Sequence, residues 1–377
     1  MPTLDFYGHR PSPGELSLLR AALGRAPLEP AGSALVEAAV RTGIDQGTLR
    51  LLPLLHHAPA AAALAPELRA EVERAYREAQ MRFVRLEREL ATVTGWLAEA
   101  GIPVMVLKGY ALARACYANP AHRPMWDLDI AVPADRFEEA WRLLADRGVR
   151  AKDDGRRFVV GPAMHAAALV TAAGTEIDLH RNVLFCSRWD GADEPFWSRA
   201  VPITVRGRPA VTLSAADQLL HACLHGYREN PSPSPVRWIA DALAILGRSG
   251  LDPAGWAILL AEAERHRCEG VLGAALGFLA ERFEAPVPVE VLDRLAAAPQ
   301  RPFEQAYFRF AGKRPRRFGL PWRSAAAWYD YRRHRNGVSI PRAVLGFPAW
   351  VASRWGIEPT LPALAREAAR RWRPAGS

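Results

Sequence analysis

The chain has 377 residues, of which 50% are hydrophobic, and its formal net charge is +9. This length and apolar content exclude a disordered protein and predict two or three compact units with hydrophobic cores. No run of about 18 apolar residues occurs, and the first residues, MPTLDFYGHRPSPGE, lack the basic and apolar segments of a signal peptide. We therefore expect a soluble, cytoplasmic protein that has no membrane partner.

The cysteines and the basic residues further restrict the class of protein. The four cysteines lie too far apart to indicate a disulfide framework or a structural zinc site: Cys116, Cys186, Cys223 and Cys268. Residues 301–377 contain 16 Lys plus Arg and 4 Asp plus Glu, so they carry more than the whole net charge. Two interpretations of this basic, aromatic-rich tail stay open. It is either a packed helical layer with arginines facing water, or an arm that attracts nucleic acid, an acidic peptide or a membrane surface.

Hydrophobic patterns predict helices at both ends of the chain and an α/β core between them. Short helices are expected from 14 to 60, and a long helix from about 65 to 100 that Gly101 ends. Strands and helices then alternate through IPVMVLKG, YALARACYA, WDLDIAVP and ADRFEEAWRLLADRG. Further short strands are expected in RFVVG, HAAALVTAAG and TEIDLHRNV, followed by the hairpin VPITVRGRPAVTL.

The predicted elements divide the chain into four segments. We expect an N-terminal helical region at 1–100, a catalytic core at 101–213, a helical domain at 214–300 and a C-terminal helical tail at 301–377. The fold class is α+β, with a mixed sheet flanked by N-terminal and C-terminal helical regions.

Two aspartates interrupt the apolar strand WDLDIAVP. Because side chains alternate along a strand, Asp127 and Asp129 share one face, roughly 6 to 7 Å apart. Like charges this close disfavour each other's ionisation unless a cation or a basic group lies between them. A divalent metal ion is the first candidate.

A third carboxylate occurs on a later strand. In TEIDLHRNV the same alternation places Glu176, Asp178 and His180 on one face. Three carboxylates on adjacent strands can hold two divalent cations, which clamp a triphosphate and lower the pKa of an attacking hydroxyl.

Lysine is rare in this chain, since only Lys108, Lys152 and Lys313 are lysines among 49 basic residues. A compact ammonium group suits a phosphate in a tight turn better than a planar guanidinium does. Lys108 is followed by Gly109, which permits close approach of the backbone, so both are candidate nucleotide-binding residues.

The combination of these motifs resembles a widespread bacterial family of nucleotidyltransferase-fold proteins. The matching segments are LKGYALARACY, HRPMWDLDIAVP, EIDLHRNV, LLHACLHG and RWIADALAIL, within roughly residues 80 to 250. The resemblance implies a polymerase-beta-like catalytic sheet in which Asp127 and Asp129 bind metal and Asp178 is the third carboxylate. Most members of the wider superfamily have a Gly-Ser turn where this chain has Lys108-Gly109.

Other polar residues have two interpretations each. Arg123 either binds a phosphate or supports the sheet. His180 either orients a substrate or a ligating carboxylate, or is a hydrogen-bonded sheet histidine. A zinc helix at His221 and His225 is disfavoured because the glutamate of a metalloprotease motif is missing. These histidines are candidates to face the active site from the helical domain.

Arg237 and Asp241 are four residues apart, so they can pair on one helix face. They either join the two histidines at the active site or support the helix at the surface.

The expected activity is transfer of an NMP from an NTP to an acceptor hydroxyl or phosphate. Its cofactor would be Mg²⁺ or Mn²⁺, held by Asp127, Asp129 and Asp178, and its partners an NTP and a small-molecule or peptide acceptor. Tailoring of a natural product, such as a modified peptide, is expected by analogy alone. Two alternatives stay open: a catalytically silent nucleotide-binding or regulatory protein, and a nucleic-acid-directed transferase that uses the basic tail.

Overall fold

A seven-stranded mixed sheet lies at the centre of the protein in this computed structural model. The structure describes residues 11–43, 45–152, 164–228, 236–248, 250–299, 301–312, 320–335 and 338–371. In chain order the strands are β1 (Met105–Val106), β2 (Asp127–Ala131), β3 (Arg150–Ala151), β4 (Ala166–Val170), β5 (Glu176–His180), β6 (Val201–Val205) and β7 (Arg208–Thr212). Their order across the sheet is β3-β4-β5-β2-β1-β7-β6, which confirms the predicted mixed sheet.

Helices precede, interrupt and follow this sheet, as expected for the predicted α+β class. Those before it are α1 (Pro13–Ala22), α2 (Pro30–Thr42), α3 (Gln46–Leu49), α4 (Leu52–Leu55) and α5 (Pro66–Glu99). Those between strands are α6 (Lys108–Ala115), α7 (Phe137–Asp146) and α8 (Glu194–Ser198). Those after it are α9 (Ala215–Arg228), α10 (Arg237–Arg248), α11 (Pro253–Arg265), α12 (Glu269–Phe283), α13 (Val289–Ala297), α14 (Pro302–Gly312), α15 (Leu320–His334), α16 (Ile340–Trp355) and α17 (Leu361–Arg371).

The two central strands, β2 and β5, run parallel and carry both acidic motifs. Their register pairs Asp127 with Glu176 and Asp129 with Asp178. Their alternate residues, such as Leu128 and Ile177, are buried in an apolar cluster with the long helix α5. The sheet therefore has one apolar face, and its polar face holds the carboxylates.

The long helix α5 covers the apolar face because its buried residues recur at helical spacing. A stripe of apolar residues on α5 is buried in that cluster: Phe83, Leu86, Leu90, Val93 and Leu97. The helix ends at Glu99, and Gly101 follows it with a φ of +65°. This left-handed conformation is one that glycine adopts without the penalty of a Cβ atom.

One predicted strand lies outside the described residues, and another is shorter than expected. RFVVG falls within residues 153–163, outside the described part of the chain. The strand predicted in IPVMVLKG is confined to Met105–Val106, and Lys108 already begins helix α6. A two-residue strand is shorter than any alternation pattern can define.

Helices from both ends of the chain share a second apolar core. Leu18, Leu19 and Leu55 of the N-terminal helices are buried in one cluster with Leu220 and Ile239 of the helices that follow the sheet. The Arg20 Nη2 group also donates to the carbonyl oxygen of Arg282 at 2.8 Å. Segments distant in sequence therefore form one helical body. Within the described residues, no helix is long and apolar enough to cross a membrane.

The C-terminal helices contact this body through buried charged groups. Arg333 on α15 donates from Nε to the carbonyl oxygen of Cys186 at 2.9 Å, and Asp330 on the same helix pairs with Arg188. Aromatic rings of α15 and α16 form a small core of their own: Trp328, Tyr331, Phe347 and Trp350. The described tail thus has aromatic residues inside and buried arginines at its contact with the rest of the chain.

A buried ion pair joins the sheet to the helical body. Arg123, which precedes β2, donates from Nε and Nη2 to the two carboxylate oxygens of Asp241 on α10, each at 2.8 Å. The Tyr117 hydroxyl donates to the same carboxylate at 2.7 Å. The prediction that Asp241 pairs with Arg237 on its own helix is therefore wrong. Helical spacing identifies a neighbour four residues away but cannot show a better-oriented guanidinium from another segment.

Three histidines and a tyrosine pack where the N-terminal helices meet the segment before β2. The rings of His56 and Tyr76 stack at 4.4 Å, and His57 Nδ1 lies 2.8 Å from His122 Nε2. One of these two nitrogens must donate and the other accept, so at least one of the two rings is neutral. Burial, together with His57 and His56, lowers the pKa of His122 to about 4.

The ion pair gives the first testable prediction. Arg123→Met should lower the free energy of unfolding by about 3 to 5 kcal/mol, because it leaves the Asp241 carboxylate buried without its cation. Adding Asp241→Asn should restore part of this loss, since Asn still accepts the Tyr117 hydrogen bond and no buried charge remains. Urea unfolding of the single and double variants measures the coupling.

The control for this cycle is Arg142→Met, which removes an exposed partner of Glu138 and should cost less than about 1 kcal/mol. Strictly additive effects of the substitutions at 123 and 241 would contradict the proposed coupling.

The histidine cluster gives a prediction about pH. Because the pKa of folded His122 lies below that of an unfolded histidine, the unfolded chain binds the proton first as the pH falls from about 7 to about 4. Stability should therefore decrease in this window. His122→Gln should remove roughly 1 kcal/mol of that decrease between pH 7.5 and 5, after allowance for the partial exposure of the ring.

Chemical denaturation at both pH values measures this difference. Burial raises the pKa of Asp193 to about 7, which gives the opposite slope in the same range. Comparing the variant with the wild-type protein cancels that contribution, and an unchanged pH dependence in His122→Gln would rule out the assignment.

Candidate active site

The polar face of β2 and β5 brings two carboxylates and an imidazole together. The register places Asp129 directly beside Asp178, and His180 lies two residues further along β5. Ligand atoms of Asp129, Asp178 and His180 all lie within 4.8 Å of one another. Asp127 is on the same face of β2, two residues earlier, but is not part of this group of three.

Two basic side chains contact the Asp129 carboxylate. Lys108 Nζ donates to Asp129 Oδ1 at 2.8 Å, and His180 Nε2 lies 3.0 Å from the same oxygen. Asp129 and His180 are buried, and only 12% of the Lys108 side chain is exposed. Lys108 is thus the basic group that the paired aspartates require.

The two aspartates of β2 have opposite pKa shifts. Burial and the charge of Asp129 raise the pKa of Asp127, although Lys108 and Arg237 oppose the shift. Burial alone would also raise the pKa of Asp129, but Lys108 and His180 hold it below its usual value. Asp129 is consequently the carboxylate that stays ionised, and Asp127 is the one that gains most from a further cation.

The turn that presents Lys108 has an unusual backbone conformation. Lys108 has a φ of +44°, although it is not glycine, at the junction of β1 and α6. The preceding Leu107 N–H donates to the Asp129 carbonyl oxygen at 2.9 Å, which holds the turn against β2. A left-handed conformation at a residue with a Cβ atom costs about 1 to 3 kcal/mol and is concentrated at functional sites.

Gly109 is closely packed in the same turn. A Cβ atom at this position would lie 3.1 Å from Met125 Sδ and 3.3 Å from Arg123 Nη1. The structure therefore relates Gly109 to the nearby side chains of Met125 and Arg123. The role of Gly109 in nucleotide binding stays a prediction. For Arg123 the contacts are those of the ion pair with Asp241, so its predicted phosphate contact is likewise untested.

Helix α9 contributes a buried histidine to the same region. Burial lowers the pKa of His221 well below its usual value, and the nearby charges of Lys108, His225 and His180 act in the same direction. The rings of His221 and His225 stack at 5.7 Å. His221 is therefore close enough to Lys108 and His180 for their charges to act on it. The expectation that His221 and His225 face the active site stays a prediction.

Two arginines near this site were not predicted from the sequence. Arg50 and Arg82 lie over the ring of Trp126, which directly precedes Asp127. A signal for Arg82 was present, because it follows Ala79 and Tyr76 by helical steps at the margin of the buried stripe of α5. Arg50 lies between two short helices, where no periodicity exists to indicate its direction.

The donor set fits a divalent cation. Carboxylate oxygens suit Mg²⁺ and Mn²⁺, and an imidazole beside a ligating carboxylate either joins the ligands or orients that carboxylate. Asp129 and Asp178 would hold such a cation, His180 would join them or orient Asp129, and Asp127 is the further carboxylate on the same face. The cation would supply positive charge for phosphate groups and would lower the pKa of an attacking hydroxyl.

The chain was also compared with known proteins. The chain is similar to the antibiotic-resistance factor ANT(2'')-Ia, at 14% identity over 49% of this chain and 93% of that chain, with a TM-score of 0.36. It is also similar to an antigenic nucleotidyltransferase-like protein from Paracoccidioides brasiliensis, at 13% identity over 55% of this chain and 96% of that chain, with a TM-score of 0.34. No curated protein matches the chain.

A protein family described as "Uncharacterised nucleotidyltransferase" matches residues 47–284, more than half of the chain. The matched residues include the long helix, the sheet with both acidic strands, and helices α9 to α12. The chain therefore belongs to this family of nucleotidyltransferases.

Proposed function

We propose that this protein is a Mg²⁺-dependent enzyme that transfers an NMP from an NTP to an acceptor hydroxyl or phosphate. The observation that carries the proposal is the register of β2 and β5, which sets Asp129 beside Asp178 with Lys108 and His180 in contact. Membership of the nucleotidyltransferase family supports the same reaction. Mn²⁺ is the alternative cation, because its ligand preferences overlap with those of Mg²⁺.

The reaction exchanges one bond to the α-phosphorus of the NTP for another. The acceptor oxygen forms a bond to this phosphorus as the bond to the pyrophosphate oxygen breaks, and a hydroxyl acceptor loses its proton. Asp127, Asp129 and Asp178 would hold the divalent cation, which supplies charge neutralisation on the phosphates when it is bound. We assign Asp178 to the acceptor side, since β5 lies beyond β2 from the Lys108 turn.

Lys108 and His180 would position the carboxylate and the nucleotide. The Lys108 ammonium has three donors, so it can keep its bond to Asp129 and donate to a phosphate oxygen at the same time. His180 contacts Asp129 from the neighbouring strand β5 and fixes the direction of the Asp129 carboxylate oxygens. Gly109 and Arg123 support the turn and the approach to β2 in this proposal.

A small molecule or a peptide is the acceptor class we favour, and a role in natural-product tailoring fits such an acceptor. A nucleic-acid acceptor on the basic tail is less well supported, because Arg333 is buried and Asp330 pairs with Arg188. A catalytically silent nucleotide-binding protein is the remaining alternative. The ionised, partnered state of Asp129 supports a working metal site instead.

Calorimetry with each NTP, with and without Mg²⁺, tests the proposal directly. We expect at least one NTP to bind only when the divalent cation is present. Binding that ignores the cation would favour the silent alternative, and absence of binding for every NTP would refute the proposed substrate.

Neutralising the carboxylates should separate chemistry from folding. We expect Asp127→Asn, Asp129→Asn and Asp178→Asn to lower the rate of pyrophosphate release by about a thousandfold or more, because the cation contributes several kcal/mol to the transition state. Asp127→Asn should leave the melting temperature unchanged or higher, since its pKa is raised by burial and by Asp129. Asp129→Asn should lower it, because Lys108 then lacks its partner.

The matched control is Glu176→Gln on the same strand as Asp178. Glu176 lies opposite Asp127, but its carboxylate is 2.6 Å from Lys152 Nζ at the surface. This variant should keep its activity. Full activity in any of the three Asp→Asn variants would remove that residue from the site.

Substitution of Lys108 should weaken nucleotide binding. We expect Lys108→Ala to reduce NTP affinity about tenfold or more, as expected for a lost charged hydrogen bond, and Lys108→Arg to restore it only partly because the guanidinium is planar and larger. Calorimetry measures the affinity, and Lys152→Ala serves as the control for loss of a surface lysine.

The backbone at this position allows a second comparison. Because φ is +44°, Lys108→Gly should be more stable than Lys108→Ala by about 1 kcal/mol, yet bind NTP equally poorly. Unchanged affinity in all the Lys108 variants would return this lysine to a purely structural role.

A further inference from the structure

Three arginines from separate segments converge on the ring of Trp126. The guanidinium carbons of Arg50 and Arg82 each lie 4.7 Å from the ring centroid, and that of Arg237 lies 5.7 Å from it. Arg50 follows α3, Arg82 is on α5 and Arg237 begins α10, so only the tertiary fold brings them together. Trp126 is 38% exposed, and the next residue in the chain is Asp127.

The neighbouring basic side chains pair with carboxylates, but these three arginines do not. Arg123 is satisfied by Asp241, and Lys108 by Asp129. Within the described part of the chain, the three arginines form no ion pair with a carboxylate. The buried atoms Arg50 Nε and Arg237 Nη2 also have no hydrogen-bond partner among the described residues.

Two effects disfavour the positive charge of these arginines, namely burial and the like charges of neighbouring guanidinium groups. Burial lowers the pKa of Arg237 to about 9, and the like charges of Arg123 and Arg50 add to the shift. Burial also lowers the pKa of Arg50, while the nearby charge of Asp127 opposes it. Unpaired buried donors are costly, so an arrangement of this kind indicates an absent anionic partner.

We infer that Arg50, Arg82 and Arg237 form a phosphate-binding site beside Asp127, oriented by the ring of Trp126. Guanidinium forks match the oxygens of a phosphate, and their stacking on one indole fixes the direction of the forks. The inference rests on the proposed function in placing this site next to a nucleotidyl-transfer centre. It extends that function, because it adds a second anion site built from the helical body.

The phosphate has two sources with the same chemistry. It is either the terminal part of the nucleotide's polyphosphate chain or a phosphate group on the acceptor. The site itself is tested first, with inorganic tripolyphosphate in the absence of divalent cations. We expect the wild-type protein to bind it, and each of Arg50→Gln, Arg82→Gln and Arg237→Gln to bind about tenfold or more weakly.

Arg142→Gln, which removes an exposed arginine on α7, is the matched control and should bind like the wild-type protein. Arg82→Gln is the variant least expected to misfold, because Arg50 and Arg237 each have a buried side-chain nitrogen without a hydrogen-bond partner among the described residues and Arg82 has none. The inference would be overturned if the wild-type protein failed to bind tripolyphosphate. It would also be overturned if the folded arginine variants bound tripolyphosphate as tightly as the wild-type protein does.

A stability measurement distinguishes a ligand site from structural support. In phosphate-free buffer, Arg237→Met should unfold at a denaturant concentration no lower than that of the wild-type protein, because it removes an unpaired buried charge. Added tripolyphosphate should stabilise the wild-type protein more than this variant. A large loss of stability without ligand would mark Arg237 as structural and contradict the site.

Competition with a nucleotide identifies the source of the phosphate. If the site holds the nucleotide's polyphosphate, tripolyphosphate should displace the Mg²⁺-bound NTP and the arginine variants should weaken NTP binding. If it holds an acceptor phosphate, tripolyphosphate should bind the NTP-loaded protein and NTP affinity should not change. Either result supports the site.

The Asp129→Asn variant separates this inference from the proposed function. It should lose the Mg²⁺-dependent binding of NTP and retain the Mg²⁺-independent binding of tripolyphosphate. Loss of tripolyphosphate binding in this folded variant would refute an anion site formed by the arginines, whereas absence of nucleotidyl transfer in the wild-type protein would refute only the proposed function.

Discussion

The buried carboxylate of Asp129 is the group on which the arrangement of the site depends. An ionised carboxylate at this depth is stable only with partners, and it receives them from the Lys108 turn on one side and from His180 on the other. The same residue's carbonyl oxygen accepts the Leu107 N–H, so side chain and backbone of Asp129 both hold the β1–α6 turn. The strained Lys108 backbone is therefore maintained by the contact that it makes possible.

A second constraint comes from the helical body, which closes on the polar side of the sheet. The N-terminal helices and the helices after the sheet share one apolar core, and the Arg123–Asp241 pair joins this body to the approach of β2. His221 from α9 and Arg237 from α10 are consequently within electrostatic range of the carboxylates. Because these helices share one apolar core, segments that are far apart in sequence meet at a single site.

Alternation along strands was sufficient to predict which residues share the polar face. Asp127 with Asp129 and Asp178 with His180 follow from a period of two, and the acidic pattern on both strands pointed to their adjacency. The positive φ of Lys108 and its bond to Asp129 could not be predicted, because a pattern gives no backbone strain and no direction for a flexible side chain. Helical spacing paired Asp241 with Arg237, but it could not reveal Arg123 from another segment or the convergence of Arg50, Arg82 and Arg237 on Trp126.

The charges of the two neighbouring clusters explain why they lie together. The carboxylates of Asp127, Asp129 and Asp178 favour a cation, and the arginines around Trp126 favour an anion. Asp127 connects the clusters electrostatically, because its charge acts on Arg50 while Arg237 acts on it in turn. A cation beside Asp127 and a phosphate beside the arginines would each offset the charge of one cluster. The arrangement of charge is therefore the one expected for the proposed metal–polyphosphate ligand.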